Sequence, residues 1–79
     1  MTAYYRMNLG RFLASRERHG DAVDALAPEQ GLAGIKASAD DNRAEYLDLL
    51  RDLTARPACS GAQAPAACER AREWLRLMP

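Results

Sequence analysis

Apolar side chains recur along this chain with helical spacing, and no stretch alternates apolar and polar residues with the period of a strand. The first set follows an i, i+4, i+7, i+8 pattern: Tyr5, Leu9, Phe12 and Leu13. This pattern predicts an amphipathic helix over residues 3–18. His19 and Gly20 are expected to end it, because a basic residue in the last turn and a glycine just beyond it are typical of helix C-termini.

The next segment carries weaker signals. Asp21 is predicted to cap a short helix over residues 22–27. Pro28 is suited to opening a further helical segment, since its missing N–H costs nothing in a first turn. Two glycines weaken that segment, in which Leu32 and Ile35 are the expected buried residues.

The strongest core element is predicted over residues 39–55, with Ser38 as its N-cap and Pro57 beyond its end. It carries a broad apolar arc: Tyr46, Leu47, Leu49, Leu50 and Leu53. After a loop, Pro65 opens a last helix that is expected to reach Leu77. Its apolar face is also regular: Ala67, Ala71, Trp74, Leu75 and Met78.

These segments predict a single all-α domain over residues 1–79, built as a small bundle of three to four helices. Its expected core is made of large side chains: Leu9, Phe12, Leu13, Leu47, Leu50, Leu53, Trp74 and Leu75. The apolar share of 48% is inflated by alanine, which buries little area, so a core of this size stabilises the fold only weakly. Self-association would add to it, and a homodimer is therefore expected.

Charge is balanced overall but segregated along the chain. Residues 1–20 carry +3, residues 21–55 carry −5 and residues 56–79 carry +2. Basic ends are therefore expected to pack beside an acidic middle. A net charge of zero provides no global field to attract nucleic acid or an anionic membrane.

A helix-turn-helix is the natural nucleic-acid motif for a chain of this size, and residues 26–32 resemble one in part. The match fails at Pro28, which falls where a helix interior is needed, and at Gly34, which weakens the would-be recognition helix. Only Lys36 would meet phosphates or base edges. Nucleic-acid binding is therefore kept only as an alternative.

No apolar run reaches the length of a membrane span, and Arg6, Asn8 and Arg11 interrupt any signal-peptide-like segment. The basic residues are nearly all arginine and alanine is abundant, which is typical of GC-rich bacteria and their phages. We therefore expect the bacterial cytoplasm, or the host cytoplasm if a phage encodes the chain.

Candidate chemistry is sparse. The only histidine, His19, has no nucleophile placed near it by a known motif, so we expect it to stabilise a helix end. We expect neither enzymatic activity nor a cofactor. Cys59 and Cys68 are nine residues apart, and with His19 they match no recognised zinc spacing. A disulfide would join loop to helix, but free thiols are expected in a reducing cytoplasm, where Cys59 would be available to cross-link two copies.

Two surfaces are candidates for binding another protein. One lies on the first helix and carries residue types that interfaces favour: Tyr4, Met7, Arg11, Ala14 and Arg18. The other is an acidic strip within about 60° on one helix: Asp41, Glu45, Asp48 and Asp52. The alternatives are a first helix covered on both sides by its own domain, and a strip that is only a solvated helix face.

In size, in the lack of any catalytic constellation and in its acidic strip, the chain resembles the small proteins with which phages and mobile elements inhibit host machinery, of which anti-CRISPR proteins are the largest group. The resemblance implies a target among CRISPR effector complexes, blocked at DNA binding or nuclease recruitment. The predicted function is stoichiometric inhibition of a host or defence complex. The alternatives are a small transcriptional regulator that binds nucleic acid, and an assembly subunit or chaperone partner.

Overall fold

The computed structural model describes residues 3–78, whose regular structure is entirely helical. The α-helices in chain order are α1 (Ala3–Ser15), α2 (His19–Leu26), α3 (Leu32–Lys36), α4 (Asp40–Thr54) and α5 (Ala66–Leu77). A 3₁₀ turn, Pro57–Cys59, lies between α4 and α5. The all-α class is confirmed, and the described residues form five α-helices where three or four were predicted.

The chain leaves α1 earlier than predicted, in a turn centred on Glu17. The N–H of Arg18 donates to the carbonyl of Leu13 (3.0 Å) and the N–H of Glu17 to that of Ala14 (3.1 Å), which is the Schellman pattern. Glu17 occupies the left-handed position with φ of 60°, where glycine is usual. The prediction that His19 and Gly20 end α1 is therefore wrong, because both belong to the first turn of α2.

Three predicted starting points in the middle of the chain are also corrected. Asp21 is the third residue of α2 and binds the Arg18 side chain (2.9 Å) instead of capping a helix. Pro28 lies in the connection between α2 and α3. Ser38 donates its hydroxyl to the carbonyl of Ile35 (2.6 Å) at the end of α3, and Ala39 occupies the N-cap position of α4.

Helix α2 lies at the centre and contacts α1, α4 and α5. The largest fully buried side chains come from all of these elements and their neighbours: Met7, Val23, Leu26, Ile35, Tyr46, Leu50, Leu53, Cys59 and Cys68. From α5, Ala67, Ala71 and Trp74 complete the core. The apolar faces predicted for α4 and α5 are confirmed, with Leu49 and Leu75 half-buried at their margins.

Helix α1 is rotated relative to the prediction. Met7 is 1% exposed and Gly10 is buried, whereas Phe12 is 57% exposed and Leu9 and Leu13 are only half-buried. A Cβ at Gly10 would lie 3.0 Å from the Leu26 side chain, so the glycine lets the two backbones approach closely. Phe12 was predicted to be core and Met7 to be surface, and both predictions are wrong.

The C-terminal end of α2 is held by side chains from two other helices. Tyr46 of α4, fully buried, donates its hydroxyl to the carbonyl of Leu26. Arg70 of α5 donates Nε to the carbonyl of Ala27 (2.6 Å) and pairs with Asp24. These bonds satisfy carbonyls that a helix end leaves without partners, and the arginine charge suits the negative end of the helix dipole.

Candidate functional site

The structure does not assemble the surface predicted on the first helix. Tyr4 is 66% exposed, but Met7 lies in the core. Arg11 forms an ion pair with Glu45 of α4 at 2.9 Å, and Arg18 pairs with Asp21 at 2.8 Å. Of the predicted set, only Tyr4 is exposed, takes part in none of these ion pairs and is of a residue type that anchors protein interfaces.

The acidic strip of α4 is exposed, as expected, but three of its four carboxylates have cationic partners within the chain. Glu45 pairs with Arg11, Asp48 with Arg51 at 3.2 Å and Asp52 with Arg56 at 2.9 Å. Asp41 forms no ion pair within residues 3–78. Each exposed pair stabilises the fold little. Together they cancel most of the local negative charge, which makes the strip a poor imitation of a phosphate backbone.

The pairs also show that the basic ends pack beside the acidic middle. Arg11 comes from the basic N-terminal segment and reaches Glu45, and Arg70 comes from the basic C-terminal segment and reaches Asp24. The expectation drawn from charge segregation is confirmed for these two contacts.

A different surface stands out on α1. Tyr4, Tyr5 and Phe12 are 66%, 53% and 57% exposed, although aromatic residues make up only 6% of this chain. Tyr5 and Phe12 are seven residues apart, so they share one line along the helix. The Arg16 guanidinium lies 5.7 Å from the centre of the Phe12 ring, within the range of a cation–π contact. We call Tyr4, Tyr5, Leu9, Phe12 and Arg16 the α1 outer face.

The α1 outer face holds three of the five aromatic residues of the chain; only Tyr46 and Trp74 are in the core. Single exposed apolar residues are normal on proteins, but a cluster on successive turns is a candidate for a binding surface. The sequence held a signal for this arrangement. Gly10 and Ala14 mark the close-packed side of α1, and Tyr5 and Phe12 lie opposite.

A second cluster forms where three elements meet. Cys59 ends the 3₁₀ turn, Cys68 lies in the first turn of α5, and the two are joined in a disulfide with Cα atoms 5.5 Å apart. His19, the first residue of α2, places Nε2 3.4 Å from the Cys59 sulfur. One ligand atom from each of the three residues falls within 4.8 Å of the others.

The expectation of two free thiols is wrong for this structure, because the turn and α5 bring both sulfurs into bonding contact. Cys59 is 1% exposed, so cross-linking of two copies through it would require that the turn open first. His19 does serve a helix end, but that of α4: its Nε2–H donates to the carbonyl of Leu53 at 2.8 Å. The meeting of His19 with the cysteines had no signal in the sequence, because forty residues separate His19 from Cys59.

The remaining surfaces bear on the other predicted functions. Helix α3, which contains Lys36, is only five residues long, and this is too short for a recognition helix in the major groove. Within residues 3–78, every helix is too short or too polar to cross a bilayer.

Comparison with known protein families, with curated proteins and with solved structures finds no match for this chain.

Proposed function

We propose that this protein acts without catalysis, by binding another protein through the α1 outer face. The observation that carries the proposal is the exposure of Tyr4, Tyr5 and Phe12 on one helix, whose opposite side is packed on α2. Aromatic residues are the commonest anchors of protein interfaces, because they bury a large area at a small cost in side-chain entropy.

The size of the surface suits an interface anchor. An aromatic side chain offers about 150–250 Å² when fully buried, so three that are more than half exposed leave roughly 300 Å² for a partner. At about 25 cal/mol per Å², burying that area would contribute roughly 7 kcal/mol before the cost of association. A standard interface takes about 800 Å² from each side, so flanking residues would complete it.

The charges on α1 describe the partner. The helix carries two arginines and no acidic residue, and Arg16 follows directly after its last residue. Arg16 already lies over Phe12, and Arg11 is exposed at 46% of its side chain even while paired with Glu45. A complementary partner would offer an apolar groove with acidic groups at its rim.

The most specific form of the proposal is stoichiometric inhibition of a host or defence complex in the bacterial cytoplasm, with a CRISPR effector complex as the leading target class. The support for it is the small size of the chain, its single aromatic face and the resemblance described above. Covering a surface requires no reactive group, which suits a chain whose polar surface groups are engaged mainly with one another.

The test is a paired binding comparison. Wild type, a Tyr5→Ala/Phe12→Ala variant, a Leu77→Ala control and an Asp48→Arg/Asp52→Arg variant are each immobilised and exposed to bacterial lysate, and bound proteins are quantified by mass spectrometry. Leu77 is a matched control because it is 47% exposed but lies on α5. We expect specific partners to be lost only with the α1 variant, at unchanged helical circular dichroism.

Two results would overturn this assignment. If every specific partner survives the α1 variant but is lost on charge reversal, the acidic strip is the binding surface. If the wild type is a dimer in sedimentation and the α1 variant a monomer, the outer face joins two copies of this chain and not a foreign protein.

A further inference from the structure

The cluster of His19, Cys59 and Cys68 is independent of the α1 outer face and has the composition of a metal site. Imidazole nitrogen and two thiolates are ligands that zinc prefers. The three side chains come from α2, the 3₁₀ turn and α5, so the fold brings them together. In the disulfide form the sulfurs are bonded to each other, and the site exists only after reduction.

The spacing already present suits a tetrahedral ion. With zinc–sulfur and zinc–nitrogen bonds of about 2.3 and 2.0 Å, the nitrogen and sulfur of two ligands lie about 3.5 Å apart. The Nε2 of His19 and the sulfur of Cys59 are 3.4 Å apart. Reduction frees the Cys68 sulfur to separate from Cys59 and occupy a third corner. The fourth position remains for solvent, as in zinc sites with three protein ligands.

Groups of positive character lie beside both cysteines. Cys68 lies in the first turn of α5, a helix of twelve residues, where the helix dipole stabilises negative charge. Arg72 donates a hydrogen bond from Nη2 to the carbonyl of Cys59 at 2.5 Å, which places a cation beside the second cysteine. Both suit the negatively charged sulfurs that would bind a cation.

We propose that reduction of the Cys59–Cys68 disulfide creates a binding site for one zinc-like divalent cation, with His19 as the third protein ligand. The reductant is a cellular dithiol, which gives two electrons and two protons to the disulfide and is itself oxidised to a disulfide. The cation then displaces the two thiol protons to solvent. His19 shifts its single proton from Nε2 to Nδ1 and releases the carbonyl of Leu53.

The site would therefore be closed in an oxidising compartment and available in a reducing one. Cys59 and Cys68 are 1% and 0% exposed, so a reductant reaches the sulfurs only when the 3₁₀ turn opens.

Cobalt(II) is the probe, because thiolate ligation gives it intense charge-transfer absorption and tetrahedral geometry gives it strong visible bands. The protein is reduced, freed of reductant without air and titrated with cobalt(II) while helical circular dichroism is recorded. We expect one equivalent bound per reduced chain and none per oxidised chain. His19→Gln is expected to weaken binding by about tenfold or more while keeping the charge-transfer band.

The outcomes separate cleanly. Absence of charge-transfer absorption in the reduced wild type would overturn the proposal. Equal affinity of wild type and His19→Gln would also overturn it, since a dithiol alone would then be the chelator. If the reduced chain loses helix, recovery of helix on adding zinc supports the site and failure to recover rejects it.

Discussion

The disulfide permits a quantitative test of how the fold is held together. We expect reduction of Cys59–Cys68 to lower the free energy of unfolding, because the bond restricts the unfolded chain. The cross-link spans a sequence separation of nine residues. Closing a loop of that length removes about 9 cal/mol/K of chain entropy from the unfolded state, which corresponds to about 2.6 kcal/mol at 25 °C.

That free energy has a measurable thermal equivalent. A chain of 79 residues has an unfolding entropy of roughly 170 cal/mol/K near its midpoint. The Tm followed by far-UV circular dichroism should therefore fall by about 16 °C when a phosphine reductant is added. Reduction keeps both sulfur atoms in the core, so it isolates the effect of the cross-link from the effect of a cavity.

A Cys59→Ala/Cys68→Ala variant is the control, since its Tm should not respond to the reductant. Metal-free buffer keeps any ion from restoring the link. A fall in Tm smaller than about 5 °C on reduction of the wild type would refute the reasoning, because it would mean that the unfolded chain is already restricted between these residues.

Three further predictions follow from packing and burial. Met7→Ala should lower the free energy of unfolding, measured by chemical denaturation, by about 2–5 kcal/mol, because Met7 is 1% exposed. Tyr4→Ala should lower it by less than about 1 kcal/mol, and equal losses in the two variants would contradict the orientation of α1. Gly34→Ala should raise the free energy of unfolding by about 0.5–1 kcal/mol, and with it the Tm, since nothing lies within 4 Å of the added methyl group. Gly10→Ala should lower the free energy of unfolding by about 1–3 kcal/mol, because its methyl group would contact a leucine of α2. A change of the same sign in both variants would contradict this packing. Burial, offset in part by Arg6, raises the pKa of Tyr46, so the folded state holds the phenol proton more tightly than the unfolded chain does. The resulting contribution to the free energy of unfolding is complete below pH 10, the usual pKa, and is lost as pH rises through the folded pKa. Tyr46→Phe should remove this alkaline loss in urea melts compared at pH 8 and pH 11, and should cost about 1–3 kcal/mol at neutral pH through the unpaired carbonyl; an unchanged alkaline profile would count against the assignment.

The helical class and the core faces of α4 and α5 could be predicted from sequence because long periodic patterns leave one side for the core. Tyr46, Leu50 and Leu53 of α4 and Ala71 and Trp74 of α5 are buried as their spacing indicated. Local boundaries were less accurate. Glu17 takes a left-handed conformation in which glycine is usual, so the end of α1 was assigned to Gly20, which lies in α2.

The face of α1 could not be predicted from hydrophobicity alone. Tyr5, Leu9 and Phe12 form the more apolar stripe, but close approach to α2 selects the side with Gly10 and Ala14. Packing distance therefore overrides the size of the apolar side chains. A helix with one small-residue side and one aromatic side is consistent with two different contacts, one within the fold and one outside it.

The contact of His19 with Cys59 was beyond any local pattern. It depends on how α2 meets the end of α4 and the 3₁₀ turn, where Val23 and Leu53 are both buried and His19 bonds to the carbonyl of Leu53. Such long-range encounters are decided by tertiary packing, and residue spacing along the chain does not report them.

The way α1 is attached has a consequence for its dynamics. Met7 is its one large buried side chain, and Arg11–Glu45 is an exposed clasp to α4. A thirteen-residue helix that leaves the core does not stay helical in water, so undocking and unwinding of α1 are one event. Backbone amides of α1 should therefore exchange hydrogen sooner than those of α4 and α5. A ligand of the aromatic residues binds the form in which α1 is packed on the core. Binding would therefore slow hydrogen exchange of the α1 amides, and this slowing would be detectable before the ligand itself is identified.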